Sequence, residues 1–220
     1  MWGRGLAAFI NEGHLQNKRI IMVGFSARTI AMFNGLGEFL GERIPVVGLV
    51  VVEPILYDQE TASPAHPQWQ AASELMIKGV KAQKEIWPDQ EEAKQYLVKR
   101  PPWCRWDQSV LDSYLRYGLT EFSGADGTQA IRTICLRAEE ASIYDHYEDI
   151  WRAMNVMEKL SCMVPIHVVF GAKDRIMGRK VAGVHKVDTS HMVPQEKPGE
   201  FADLLSQLIR DILCGPIIKL

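Results

Sequence analysis

The apolar positions of the chain fall into two textures. Near the start, Leu6, Phe9, Ile10 and Leu15 recur at helical spacing and predict a helix over 3–15, broken at Asn17 and Lys18. RIIMVGF (19–25) follows as an unbroken apolar run, the pattern of a strand buried on both faces of a parallel sheet. ARTIAMFNGLGEFLG (27–41) returns to helical spacing through Ile30, Phe33, Leu36 and Leu40, weakened by Gly35 and Gly37. VVGLVVV (46–52) is the strongest strand pattern in the chain and closes at Glu53-Pro54. Strand, helix and strand with short connections predict a right-handed βαβ unit.

From about 55 to 160 the pattern changes. Five of the six tryptophans (Trp69, Trp87, Trp103, Trp106 and Trp151) lie here among short helical patterns separated by proline. Asp89 is placed to cap EEAKQYLVKR, and Asp107 to cap QSVLDSYLRY, which ends at Gly118. A longer helix is expected over 147–160. The first texture then resumes, with PIHVVFG (165–171) and AGVHKVD (182–188) as strands and PGEFADLLSQLIRDIL (198–213) as an amphipathic helix. The expected architecture is α/β: a mainly parallel sheet flanked by helices, built from 1–55 and 161–220, with 56–160 as a helical lid insertion.

Composition changes this picture little. The 220 residues are 47% hydrophobic and 24% charged, which suits one domain carrying a large insertion. A net charge of −2 gives no electrostatic reason to expect nucleic acid or an anionic membrane as partner. No run of 18 apolar residues predicts a transmembrane helix, and MWGRGLAAFINEGHL lacks the long apolar stretch of a secretory leader. Cys104, Cys135, Cys162 and Cys214 are widely spaced, so reduced, buried thiols in a cytoplasmic protein are expected rather than a zinc site.

The chemistry concentrates at predicted strand ends. Ser26, in VGFSA, stands between a buried strand and a helix. A serine on that turn exposes its Oγ above the sheet, with the Ala27 N–H able to face an oxyanion. Serine at such a place also commonly caps the helix. His191, in SHMVP, follows the last strand, where a general base would meet Ser26. Two carboxylates compete to orient it: Asp174 in GAKDRI, favoured by chain order, and Glu53 at the end of the 46–52 strand.

Together VGFSA, LVVVEP, KEIWPDQEEAKQYLVKRPPWCRWDQSVLDSYLRYGL, GAKD and SHMVPQEKP resemble a fungal α/β-hydrolase family related to peroxisomal lipases and loosely to epoxide hydrolases. The resemblance spans nearly the whole chain, and the tryptophan-rich stretch is its most distinctive part. It implies hydrolysis of a small apolar carboxylic ester or lipid-like acyl substrate, with no metal or organic cofactor. Ser26, His191 and Asp174 (or Glu53) would be catalytic, Ala27 an oxyanion donor, and Phe25, Trp103, Trp106 and Met192 substrate contacts.

The chain departs from that pattern in having no room for the strands that precede the nucleophile strand, and in carrying Arg28 where a small residue is usual. A truncated, catalytically impaired homologue that keeps an apolar ligand pocket is therefore the alternative. An open edge at 19–25 would offer a route to self-association. The terminal Ile218-Lys219-Leu220 weakly resembles a peroxisomal address.

Overall fold

A computed structural model describes residues 2–12, 15, 17–40, 45–56, 66–124, 126–145, 147–173 and 183–215. Asp174 and Ile218-Lys219-Leu220 lie outside the described residues.

In chain order the elements are α1 (Trp2–Asn11), β1 (Ile20–Phe25), α2 (Arg28–Leu36), β2 (Val46–Val52), α3 (Pro67–Lys81), β3 (Ile86–Trp87), α4 (Gln90–Leu97), α5 (Gln108–Tyr117), β4 (Leu119–Ser123), β5 (Gln129–Thr133), α6 (Arg137–Ser142), α7 (Tyr147–Leu160), β6 (Ile166–Gly171), β7 (Val184–Val187), α8 (Val193–Glu196) and α9 (Pro198–Cys214). The four strands β1-β2-β6-β7 form one parallel sheet in that order. Its mainly parallel strands and flanking helices are the α/β architecture expected from the apolar runs.

β2 explains why such a run must be buried on both faces. Leu49 and Val51 pack with Phe33 and Leu36 of α2 and Met154 and Leu160 of α7. Val50 and Val52 face the other way, against Val169, Val187, Val193, Leu208 and Ile212. Each fully buried valine or leucine contributes roughly 1.5–3 kcal/mol relative to exposure. Gly48 lets α9 close onto the sheet, because a Cβ there would stand 2.5 Å from Ile212 Cγ2. β1 is an edge strand with Val23 47% exposed, so its outer backbone pairs with no strand among the described residues.

Between β2 and α7 the chain is not purely helical, which corrects the expectation for this stretch. β3, β5 and β4 form a second, antiparallel sheet of three strands. LTEFS and QAIRT are short and polar, so neither stands out as an apolar run. The legible signal was Asp126-Gly127: Gly127 has φ +81°, and the Asp126 carboxylate accepts the Thr128 N–H at 3.0 Å. The tryptophans divide by packing. Trp87 and Trp103 join Leu97, Leu111 and Leu115 in this segment's own cluster, whereas Trp69 and Trp151 pack against the main core.

The cysteines also differ from expectation. All four are free and exposed rather than buried. Cys162 and Cys214 stand at the ends of α7 and α9, Cys104 in a short 3-10 turn between α4 and α5, and Cys135 between β5 and α6, where burial is incomplete.

On β6 and β7, His167 Nδ1 and His185 Nε2 approach to 3.3 Å. Burial, then the neighbouring His185, holds the His167 imidazole below its usual value, with Asp211 opposing. The folded chain therefore takes this proton less readily than the unfolded one. The contribution is complete above about pH 6.5 and is lost as pH falls through the lower folded value. Urea midpoints should fall between pH 7 and pH 5, and His167→Gln should flatten that fall. An unchanged pH dependence in the variant would contradict this assignment.

Candidate active site

β1 ends in a turn that the sequence shapes closely. Ser26 has φ +53°, a left-handed conformation that costs a non-glycine residue roughly 1–2 kcal/mol. The turn is held in place from both sides. The Ser26 N–H donates to Val52 O at 2.8 Å, and the Ser26 carbonyl accepts the Thr29 N–H at 3.0 Å and the Thr29 hydroxyl at 2.6 Å. Gly24 keeps the approach of α2 close, since a Cβ there would already lie 3.2 Å from Thr29 Cγ2. Arg28 is exposed, so its side chain leaves the turn uncrowded. The Ala27 N–H has no hydrogen-bond acceptor among the described residues and stands at the start of α2, where the helix dipole favours negative charge.

The end of β2 repeats the geometry. Glu53 has φ +49° and is only 2% exposed. Its N–H donates to Val169 O at 2.9 Å, which fixes it against β6. One carboxylate oxygen, Oε1, accepts the Gly171 N–H in a short contact, and the other, Oε2, lies 3.0 Å from His191 Nδ1. Both oxygens of this buried carboxylate are thereby satisfied, as burial of a charge requires.

His191 completes the arrangement. With Nδ1 donating its proton to Glu53, Nε2 is left as the acceptor, and it stands 2.8 Å from Ser26 Oγ. Hydroxyl, imidazole and carboxylate thus form one continuous relay across the ends of three parallel strands or the loops beyond them. Two left-handed residues at neighbouring strand ends are a concentration of backbone strain of the kind that functional sites retain.

Of the residues singled out in the sequence, Ser26, Glu53 and His191 are brought together, with the Ala27 N–H beside them. Phe25 joins them, its ring centroid 5.5 Å from that of His191. Met192 follows His191 and is half-buried. Trp103 is built into the segment's apolar cluster, and Trp106 stands 6.5 Å from it, ring to ring. The residue after Trp106 ties this segment to the stretch that follows His191, because the Asp107 N–H donates to Gln195 O at 2.8 Å. Asp174 lies outside the described residues. Gly171 was missed by the sequence reading, and its signal was a glycine closing a strand. Among the described residues no group of three or more His, Cys, Asp or Glu side chains could hold a metal ion.

No protein-family profile matches the chain, and no curated protein matches it in sequence. Solved structures do match it. The peroxisomal α/β-hydrolase Lpx1 of Saccharomyces cerevisiae superposes with a TM-score of 0.67 at 13% identity, over 97% of this chain and 60% of that one. A thermophilic esterase from Thermogutta terrifontis gives 0.56 at 16% identity, over 96% and 71%. The thioesterase domain of the curacin biosynthetic pathway gives 0.55 at 16% identity, over 97% and 72%. The chain therefore spans about 60% of the length of the yeast protein. At these identities the likeness speaks for the fold, and the fold of this chain is that of the α/β-hydrolases.

Proposed function

We propose that this chain is a serine hydrolase that cleaves a carboxylic ester or lipid-like acyl substrate, with Glu53 as the acid of its triad. The observation that carries the reading is the relay from Ser26 Oγ through His191 to Glu53, at 2.8 Å and 3.0 Å. Chain order alone favoured Asp174 as the orienting acid, but His191 Nδ1 has Glu53 as its partner.

In this mechanism Ser26 Oγ attacks the acyl carbonyl carbon while His191 Nε2 takes its proton. The imidazolium that forms faces the Glu53 carboxylate, and the Ala27 N–H donates to the oxyanion. Collapse of the tetrahedral species expels the alkoxide, which receives the proton from His191. A water, deprotonated by the same nitrogen, then releases the acid and restores Ser26. Phe25 and Met192, beside the base, offer apolar surface to the acyl group, and the 56–160 insertion would act as its lid.

The test is a series of p-nitrophenyl esters of increasing chain length. kcat/KM should rise about tenfold or more from acetate to octanoate, as apolar burial per methylene predicts. Ser26→Ala should lose the activity. A Ser26→Ala variant that hydrolyses these esters at the wild-type rate would end this reading.

A further inference from the structure

His191 must satisfy two partners at once, so its loop must be held as firmly as the strand ends. We propose that Glu196, a residue that touches neither Ser26 nor Glu53, is the positioning residue that fixes His191 between them. The inference rests on the serine-hydrolase reading of the site.

The geometry is a clamp on both neighbours of the base. On one side, Glu196 Oε2 accepts the Ser190 N–H at 3.0 Å, and Oε1 accepts the Ser190 hydroxyl in a short contact. On the other, the Glu196 N–H donates to Met192 O at 2.8 Å, closing the first turn of α8. One residue therefore bonds to positions 190 and 192, and His191 projects from between them. Ser190 is itself buried, so its N–H and hydroxyl need these acceptors.

The clamp also has a back wall. A Cβ on Gly171 would stand 2.2 Å from Ser190 O and 2.7 Å from Thr189 O, so the base loop lies directly on the end of β6. Gly171 is also the donor to Glu53. The acid and the base loop are consequently set against the same residue, and Glu196 presses the loop onto it. Gln195, the adjacent residue, accepts the Asp107 N–H through its carbonyl, which leaves α8 braced against the lid segment as well.

The experiment measures the rate at which a fluorophosphonate labels Ser26 in wild type, Glu196→Ala, Glu196→Gln and Ser190→Ala, with thermal stability and ester kcat and KM followed in parallel. Glu196→Ala removes both acceptors and should label about 10- to 100-fold more slowly, with kcat reduced and KM unchanged, since small misplacements of a reacting group carry costs of this size. Glu196→Gln keeps an acceptor for the Ser190 N–H and offers its amide to Oγ, so it should stay within about threefold of wild type. Ser190→Ala loses only the hydroxyl bond and should fall between them.

A folded Glu196→Ala that labels at the wild-type rate overturns the proposal, as does a Glu196→Gln that falls equally far. If Glu196→Ala does not fold, the other two variants decide: Ser190→Ala at the wild-type rate overturns the clamp, and a several-fold loss alongside an active Glu196→Gln supports it. An unlabelled, folded wild type sinks the hydrolase reading beneath it and the clamp with it. That outcome is distinct from a labelled wild type whose variants do not respond.

Discussion

Glu53→Gln should lower kcat on an ester substrate about 10,000-fold while leaving the fold intact, because it traps His191 in the wrong tautomer. The direction follows from the hydrogen bonds. The Gly171 N–H needs an acceptor, so the amide oxygen of the variant would stay where Oε1 now sits. The amide NH2 would then face His191 Nδ1, where Oε2 now lies at 3.0 Å. Nδ1 must accept, the ring proton moves to Nε2, and Nε2 can no longer take the proton from Ser26 Oγ. The expected loss corresponds to about 5.5 kcal/mol of transition-state stabilisation. Asp174→Asn should change kcat by less than about threefold, since the Asp–His role is then filled by Glu53. Steady-state kinetics on both variants, with circular dichroism to confirm folding, separates the two carboxylates. A large loss in Asp174→Asn with an active Glu53→Gln would reverse the assignment.

Gly171→Ala should lower stability and activity together. The added methyl would meet two backbone oxygens at 2.2 Å and 2.7 Å, and neither belongs to a flexible side chain. The loop of Thr189 and Ser190 must therefore retreat, carrying His191 with it. Overpacking of this kind costs about 2 kcal/mol. In a chain of this size that lowers Tm by roughly 4–8 °C. Activity should fall about 100-fold, because the base is displaced from the serine. Differential scanning calorimetry and the ester assay on one sample check both parts. An active Gly171→Ala of unchanged Tm would show that the loop tolerates the methyl.

Much of this was legible in the sequence, for a physical reason. Strands buried on both faces, such as 46–52, need unbroken apolar runs, and such runs are hard to mistake when helical spacing separates them. Asp89 and Asp107 cap their helices through the Glu92 and Ser109 N–H groups, as their positions indicated. Ser26 and His191 could be paired from chain order because both sit at strand exits. The choice between Asp174 and Glu53 could not be made in that way. It depends on which carboxylate reaches Nδ1, and therefore on the left-handed turn at Glu53 and on the Gly171 N–H behind it. The small antiparallel sheet was hidden because its strands are short and polar outside a few positions such as Ile131. Glu196 was equally silent, since its partners are the backbone and hydroxyl of Ser190 rather than a charged residue.

The most direct test of the central claim is mass spectrometry of the folded chain after treatment with a fluorophosphonate. A single covalent adduct on Ser26 is expected, absent from Ser26→Ala and strongly slowed in Glu53→Gln. A folded protein that acquires no adduct, or acquires it on another residue, would mean that the relay of Ser26, His191 and Glu53 does not activate the serine. The chain would then be a non-catalytic member of its fold.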